Sequence, residues 1–260
     1  MTSDYYETVA WDVAAWMDVI AIEYESLVAN YGFDNDFRDL GGEIRLLDVG
    51  CGTGIFPTYL DPLLSPEIAV TADLLDMSGT SLAAAVATFD RLDHFTVGKR
   101  YLAQIEDIAT LDAKTYEVVW AIHSLATVDL NRMPDVFERL IAALVPGGCL
   151  YIYQLAANSA YQRIHAHYLG AHPGTRYMQF EDTARMLDEA GVRYETLELA
   201  FDHIVPNRQD ALGRYLQKVV LDRGITVDFF EPLLNEFRGE DIFRFPQNVN
   251  LVTVRKEDAP

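Results

Sequence analysis

Three alternating glycines are the clearest sign of chemistry in this chain, in the segment Leu46-Leu47-Asp48-Val49-Gly50-Cys51-Gly52-Thr53-Gly54. The apolar pair at its start predicts a strand, and we expect a helix to begin near Ile55. Glycine has no Cβ, so it tolerates positive φ and lets a ligand approach the main chain. In open parallel sheets, the first strand–turn–helix of this kind is where a nucleotide-like ligand binds.

A carboxylate on the next strand is the second candidate group. The apolar run over residues 68–75 predicts that strand, and Asp76-Met77-Ser78 follows it. An acidic residue at this strand end lies beside the glycine turn and accepts hydrogen bonds from ribose hydroxyls. Asp76 is preferred because of its position at the strand end, and Asp73 is the alternative. Either carboxylate could instead cap a helix without binding a ligand.

The glycine spacing differs from the dinucleotide pattern G-x-G-x-x-G. It resembles motif I of the class I S-adenosylmethionine-dependent methyltransferases, an apolar pair followed by D-x-G-x-G-x-G. A predicted helix over residues 133–144, then Val145-Pro146-Gly147-Gly148 and a strand over 149–154, resembles a second pattern of that family. The resemblance implies S-adenosylmethionine as the cofactor. The positions it implies for cofactor binding are Asp48, Gly50, Cys51, Gly52, Thr53, Gly54, Asp76, Met77, Gln104, Ile105 and Ile122.

Residues 117–254 resemble a narrower relative, the histamine N-methyltransferase group. Its pattern is matched by Tyr177-Met178, Met186-Leu187-Asp188, Gly191 and Tyr194-Glu195, and by an Asn-containing last strand over 248–254. This resemblance implies a pocket for the methyl acceptor and an acidic partner from the N-terminal helix. The implied substrate-binding residues are Asp18 or Glu23, His123, Tyr161, His165, Arg176, and Asn248 or Asn250.

His123 is the one candidate for a catalytic residue. It follows the fourth predicted strand, over residues 117–122, and could act as a base or only orient the acceptor; we favour orientation. A buried, hydrogen-bonded core histidine is the alternative.

Arg176 stands where the narrower relative has a neutral amide. A guanidinium binds a carboxylate through two parallel hydrogen bonds, which favours a zwitterionic or acidic acceptor. The alternative is an ion pair with one of the 40 acidic residues of the chain.

The predicted elements describe an α/β fold in which a Rossmann-like, seven-stranded, mostly parallel methyltransferase sheet has helices on both faces and a helical lid. We expect residues 1–260 to form a single domain. Residues 1–35 are interpreted as an N-terminal helical cap. Residues 203–245 are interpreted as a helical insertion between the last two strands, because this link far exceeds the usual loop of about 4–6 residues.

The composition narrows the possible partners. The formal net charge is -20, which disfavours a nucleic-acid partner, since phosphate backbones are bound by clustered Lys and Arg. No apolar run approaches the ~20 residues of a membrane span. The two cysteines, Cys51 and Cys149, lack metal-ligand spacing, so we expect no metal and reduced thiols in a cytoplasmic protein. A small-molecule substrate and a monomer or homodimer are the resulting expectations.

The sequence therefore predicts an S-adenosylmethionine-dependent methyltransferase (EC 2.1.1) that acts on a small molecule. The favoured reaction is N-methylation of an imidazole or amine, in an acceptor that resembles an amino acid or a natural product. The alternatives are an O- or C-methyltransferase of secondary metabolism, or a cofactor-binding cyclase that transfers no methyl group.

Overall fold

The computed structural model describes residues 13–107 and 115–257, and side chains from residue 19 onward. Strands and helices alternate along most of this part of the chain. The strands are β1 (Glu43–Val49), β2 (Ala69–Asp76), β3 (Phe95–Leu102), β4 (Tyr116–Ile122), β5 (Leu144–Leu155), β6 (Glu195–Pro206) and β7 (Ile242–Arg255). The helices are α1 (Val13–Asn30), α2 (Phe33–Asp39), α3 (Phe56–Leu60), α4 (Gly79–Phe89), α5 (Met133–Ala143), α6 (Ala160–Leu169), α7 (Phe180–Glu189), α8 (Gln209–Val220) and α9 (Val227–Leu234).

The predicted fold class is confirmed. The seven strands form one sheet in the order β3-β2-β1-β4-β5-β7-β6. β1 pairs in parallel with β2 and β4, while β7 runs antiparallel to both β5 and β6. The strand order changes direction between β1 and β4, and ligands of open α/β sheets bind in the crevice at such a point.

The central strands are buried on both faces because helices cover both sides of the sheet. Successive side chains of a strand point to opposite faces. Leu46 therefore joins an apolar cluster with Phe33 and Phe56 on one face. Its neighbour Leu47 joins a second cluster with Phe137 and Leu187 on the other.

The last two strands extend further than the sequence predicts. β6 continues to Pro206 and β7 begins at Ile242, so the insertion covers residues 207–241 rather than 203–245. The reason is a period-two pattern: Phe243 and Phe245 are buried on either side of exposed Arg244. The insertion contains α8 and α9, whose apolar faces form a third cluster with these two phenylalanines.

The sequence pattern predicts the third strand and its end over residues 101–107, but the strand lies earlier. β3 spans Phe95–Leu102, and a short 3-10 turn over Ile105–Asp107 follows it. Leu27 and Phe33 of the N-terminal cap, and Phe37 just after it, are fully or almost fully buried against the sheet. Within residues 13–107 and 115–257, no helix has the length and apolar character that crossing a membrane requires.

Candidate functional site

The glycine turn after β1 has the backbone conformation that only glycine adopts readily. Gly50, Gly52 and Gly54 have φ values of +68°, +53° and +71°. A Cβ on Gly50 would lie 2.4 Å from the Cβ of Ser124, whereas one on Gly52 would enter open space. The N–H groups of Gly50 and Cys51 donate to the carbonyl of Leu75, which fixes the turn to the end of β2. The main chain at Gly52 is thus exposed for a ligand.

Asp76 and Asp73 occupy different environments. The Asp76 carboxylate accepts hydrogen bonds from the N–H groups of Gly52 (2.9 Å) and Ser78 (2.8 Å), and so lies against the glycine turn. Asp73 is only 2% exposed and accepts from the Lys99 N–H and the Tyr116 hydroxyl at 2.7 and 2.8 Å. Asp76 is therefore the carboxylate beside the turn, and Asp73 is part of the core.

A cavity of about 930 Å³ opens at the carboxyl ends of β1, β2, β4 and β5. Ten of the implied cofactor-binding residues line it: Asp48, Gly50, Cys51, Gly52, Thr53, Asp76, Met77, Gln104, Ile105 and Ile122. Gly54 has another role, because a Cβ there would lie 3.0 Å from the Phe89 ring. It allows close packing of the turn on α4.

Burial is the main cause of the shifted pKa values of the two ionisable groups nearest the turn, Asp48 and Cys51. Burial, together with the nearby charge of Asp76, raises the pKa of the Asp48 carboxyl to about 7, although a hydrogen bond from Trp120 opposes the shift. Burial also raises the pKa of the Cys51 thiol well above its ordinary value, with Asp48 and Asp76 adding to the effect. A thiol in this state is a poor nucleophile, since the thiolate is the reactive form.

His123 follows β4 directly and lines the same cavity. Its φ of +55° is uncommon for a residue with a side chain, and such residues concentrate at functional sites. Its Nε2 is in close contact with Oε2 of Glu23. Its backbone N–H donates to the Tyr153 carbonyl (3.0 Å), and the Tyr153 ring packs edge-on against the imidazole at 4.6 Å.

Glu23 connects His123 to a second buried histidine. Its other oxygen is hydrogen-bonded to Nε2 of His203 on β6, and Nδ1 of His203 lies 3.1 Å from the Tyr215 hydroxyl. Burial alone would raise the pKa of Glu23, but charge and hydrogen bonding from the two imidazoles lower it well below its ordinary value. Glu23 is therefore a carboxylate at neutral pH, and it holds the His123 ring in place.

The remaining implied substrate-binding residues divide into two groups. Tyr161 lines the cavity, like Glu23 and His123. Among the described residues that line it, His165, Arg176, Asn248 and Asn250 are not found. Asp18 lies outside the residues whose side chains the structure describes.

Those four residues have structural partners elsewhere. Arg176 forms a bidentate pair with Asp182, both bonds at 2.6 Å. His165 stacks on the Tyr177 ring at 3.5 Å, and burial lowers its pKa to about 4. The main chain of Asn248 bonds to Ser159, and Asn250 is paired with Gln154 of β5 within the sheet.

The polar residues of the cavity that the sequence did not indicate include Gln154 and Lys218. Oε1 of Gln154 accepts from the Thr183 hydroxyl at 2.5 Å, while its buried Nε2 has no hydrogen-bond partner among the described residues. Its place at the end of a predicted strand was a usable signal. Lys218 comes from α8, and burial lowers its pKa to about 8. No motif marks that lysine.

Residues 47–150 match the family model described as a methyltransferase domain. An uncharacterised protein of Synechococcus sp. is 32% identical over 120 residues, which cover 44% of this chain and 26% of the relative. The malonyl-[acyl-carrier protein] O-methyltransferase of Priestia megaterium is 26% identical over 161 residues, covering 57% of this chain and 53% of that enzyme. The chain thus spans about half, or less, of the length of these relatives.

Solved structures share the fold across most of the chain. A candidate methyltransferase of Bacillus halodurans superposes with a TM-score of 0.56 and 15% identity, over 87% of this chain and all of that one. The [4+2]-cyclase SpnF superposes with a TM-score of 0.54 and 17% identity, over 95% and 96% of the two chains. These comparisons support a class I methyltransferase fold. They give no support to the narrower resemblance to histamine N-methyltransferases.

Proposed function

We propose that this chain, whose residues 47–150 match a methyltransferase domain, is a class I S-adenosylmethionine-dependent methyltransferase that transfers a methyl group from that cofactor to a small-molecule acceptor. The observation that carries the proposal is the composition of one cavity. The glycine turn and Asp76 lie in one part of its wall, and the Glu23–His123 pair belongs to the same wall. The first part suits a nucleoside, and the second suits an acceptor that must be oriented or deprotonated.

The residues present fit a cationic nucleoside cofactor. Open space in front of Gly52 admits the ligand beside the main chain, and Asp76 offers carboxylate oxygens to ribose hydroxyls. The two acidic groups Asp48 and Asp76 line this part of the cavity. A positive ligand offsets the cost of burying their charge. When bound, S-adenosylmethionine supplies an electrophilic methyl carbon on a sulfonium.

We assign His123 to the acceptor. With Nε2 held by Glu23, the nitrogen left to face an acceptor is Nδ1, which can take a proton or accept a hydrogen bond. The Glu23 carboxylate fixes the orientation of the His123 ring, as carboxylates commonly do for catalytic histidines. Glu23 is thus a positioning residue rather than a substrate ligand. Alignment of the nucleophile with the methyl carbon supplies most of the rate gain in such a displacement.

The finer proposal is that the methylated atom is a nitrogen of an amine or imidazole. A neutral imidazole nitrogen needs no base at pH 7, whereas an ammonium must first lose a proton. Nδ1 of His123 suits that deprotonation. O- and C-methylation need the same alignment of nucleophile and methyl carbon. The position of the methyl group in the product therefore distinguishes N-, O- and C-methylation.

Two measurements test the proposal. Calorimetric titration with S-adenosylhomocysteine should show one site per chain. Incubation with methyl-labelled S-adenosylmethionine and a panel of amines, imidazoles, phenols and carboxylic acids should label a product, and NMR should then locate the methyl group. His123→Ala should lower kcat by about 100-fold or more while leaving S-adenosylhomocysteine affinity within about twofold.

The outcomes separate the alternatives. Absence of S-adenosylhomocysteine binding would overturn the proposal outright. Binding with no labelled product across the panel would favour a use of the fold without methyl transfer, such as cyclisation.

A further inference from the structure

A second histidine lies behind the one that faces the cavity. His203 of β6 is fully buried, and its Nε2 contacts the Glu23 oxygen that is not in contact with His123. Its other nitrogen, Nδ1, lies 3.1 Å from the Tyr215 hydroxyl of α8. Neither His203 nor Tyr215 is among the described residues that line the cavity. Both are buried polar groups to which the proposed reaction assigns no role.

Glu23 determines what one nitrogen of each imidazole carries. Burial alone would raise the pKa of Glu23, but the charge and hydrogen bonding of the two imidazoles lower it, so the carboxyl is ionised at neutral pH. An ionised carboxylate only accepts hydrogen bonds. Nε2 of His123 and Nε2 of His203 therefore both carry hydrogen. The two rings differ at Nδ1, which in His123 is assigned to the acceptor and in His203 meets Tyr215.

Gln247 of β7 orients the hydrogen bond at Tyr215. Its Oε1 accepts from the Tyr161 N–H at 3.3 Å and its Nε2 donates to the Phe245 carbonyl at 3.1 Å, so these backbone partners fix the direction of the amide. Nε2 of Gln247 also donates to the Tyr215 oxygen at 3.4 Å. Burial raises the pKa of Tyr215 well above its ordinary value, so the hydroxyl keeps its hydrogen. This arrangement favours donation by the hydroxyl to Nδ1 of His203.

Charge balance favours the same assignment. Glu23 supplies one negative charge, which compensates one imidazolium. Two imidazolium rings would have to share that carboxylate, and a buried charge that is not fully compensated is costly. The His123 side chain is 19% exposed, whereas that of His203 is 0% exposed. A proton is therefore better accommodated on His123.

We propose that Tyr215 and His203 are positioning residues that reserve the charge of Glu23 for His123, and that His123 is the general base of the reaction. Tyr215 donates to Nδ1 of His203, which stays neutral and donates from Nε2 to Glu23. When the acceptor is an ammonium, its proton moves to Nδ1 of His123 and leaves to solvent after the product. The imidazolium formed meanwhile is paired with Glu23 through Nε2–H. The inference rests on the proposed function and decides between the two roles open to His123.

The proton positions can be measured without turnover. Long-range proton–nitrogen correlation spectra of nitrogen-15-labelled protein report whether each imidazole nitrogen carries hydrogen. The chain has six histidines, and His203→Gln identifies the His203 signals by their loss. At pH 7 we expect a neutral His203 ring with hydrogen on Nε2 and none on Nδ1. An imidazolium at His203, or a neutral ring with hydrogen on Nδ1, would overturn the proposal.

Two substitutions of His203 test whether it acts through Glu23. His203→Leu removes the donor and should lower kcat by at least about tenfold, as expected for a hydrogen bond to a charged group. The KM for the acceptor and the affinity for S-adenosylhomocysteine should stay within about twofold. His203→Gln keeps a neutral amide donor near the place of Nε2 and should retain kcat within about threefold of wild type. An equal fall of kcat in both variants would contradict a neutral donor at this position.

Tyr215→Phe tests the outer hydrogen bond while keeping the ring that stacks on Phe245. It should move the Nδ1 signal of His203 and lower kcat by about 2- to 10-fold at unchanged KM. Tyr151→Phe is the matched control, because it removes another buried hydroxyl, which donates to Asp36 at 2.6 Å. It should change neither the His203 signals nor kcat.

Equal effects of Tyr215→Phe and Tyr151→Phe would mean that only general stability is affected, and the proposal would be wrong. Failure of the proposed function would appear separately, as absence of S-adenosylhomocysteine binding in the wild-type protein. The protonation of His203 would be measured in either case.

Discussion

Two buried carboxylates in one cavity wall have opposite electrostatic environments. Asp48 lies beside another acid, Asp76, and its pKa is raised to about 7, mainly by burial. Glu23 is as buried, but His123 and His203 contact its two oxygens, so its pKa is lowered. The cofactor side therefore has negative charge that a cationic ligand can neutralise. On the acceptor side, the two imidazoles already contact both carboxylate oxygens.

The two sides also differ in how the chain builds them. The cofactor side comes from β1, β2 and the turn between Asp48 and Gly54, and it presents mainly backbone. The acceptor side combines side chains from α1, β4, β5 and α8, which contribute Glu23, His123, Gln154 and Lys218. A local backbone motif tolerates few substitutions, whereas an assembly of side chains can change its ligand without changing the fold. The predictions below test this contrast.

The largest effect is expected at the glycine turn. Gly50→Ala places a Cβ 2.4 Å from the Ser124 Cβ at a φ of +68°, which combines overpacking with backbone strain. We expect a loss of about 2–6 kcal/mol in the free energy of unfolding and loss of S-adenosylhomocysteine binding. Urea denaturation and calorimetry measure both. Gly213→Ala, inside α8 and with no close neighbour, should be neutral or stabilising; equal behaviour of the two variants would refute this explanation.

Asp48 should make stability depend on pH. Its pKa is higher in the folded protein, about 7, than the usual 3.8, so the folded state retains a proton that the unfolded chain releases. The stabilising contribution of the protonated Asp48 carboxyl to the free energy of unfolding is therefore complete below about pH 4. It is lost as the pH rises to about 7. Asp48→Asn should stabilise the cofactor-free protein by up to about 4 kcal/mol at pH 8, and much less at pH 5. Urea denaturation at the two pH values is the measurement, and an equal gain at both would contradict it.

Glu23 should affect turnover rather than cofactor binding. Glu23→Gln removes the charge that fixes the His123 ring, so we expect kcat to fall by about 10- to 100-fold. S-adenosylhomocysteine affinity should stay within about twofold, since the glycine turn is unchanged. Glu25→Gln, at an exposed position of the same helix, is the matched control. A change in cofactor affinity instead of kcat would mean that the two sides are not separate.

Asp76 and Asp73 offer a sharper test within the cofactor side. Asp76→Ala should weaken S-adenosylhomocysteine by at least about tenfold, because the carboxylate beside the turn is lost. Asp73→Asn should lower the melting temperature through its buried bond to the Tyr116 hydroxyl and leave the affinity unchanged. Calorimetry and thermal denaturation of the two variants are compared. The reverse pattern would assign the ribose to Asp73.

The contrast also explains how much could be predicted from the sequence. The glycine turn and Asp76 lie within 29 residues, from Asp48 to Asp76, and each has a strand pattern beside it that fixes its place in the sheet. The Glu23–His123 contact joins residues 100 positions apart, and its geometry depends on how α1 packs. The resemblance to the histamine N-methyltransferase group implied both residues, but as separate substrate-binding residues and not as a contacting pair. His203 lies on a part of β6 that the sequence pattern assigns to the insertion, and no motif marks Lys218.

Arg176 should have the smallest effect, and it tests the residue that the sequence suggested for binding an acidic acceptor. Its guanidinium is about half exposed and is bound to Asp182 at the start of α7, where Asp182 also accepts from the Gln179 N–H. Arg176→Gln should therefore cost less than about 1 kcal/mol in the free energy of unfolding. It should leave kcat and KM for the methyl acceptor within about twofold. A large rise in KM for the acceptor would instead assign a carboxylate of the acceptor to Arg176, and the acceptor would have to reach beyond the cavity wall.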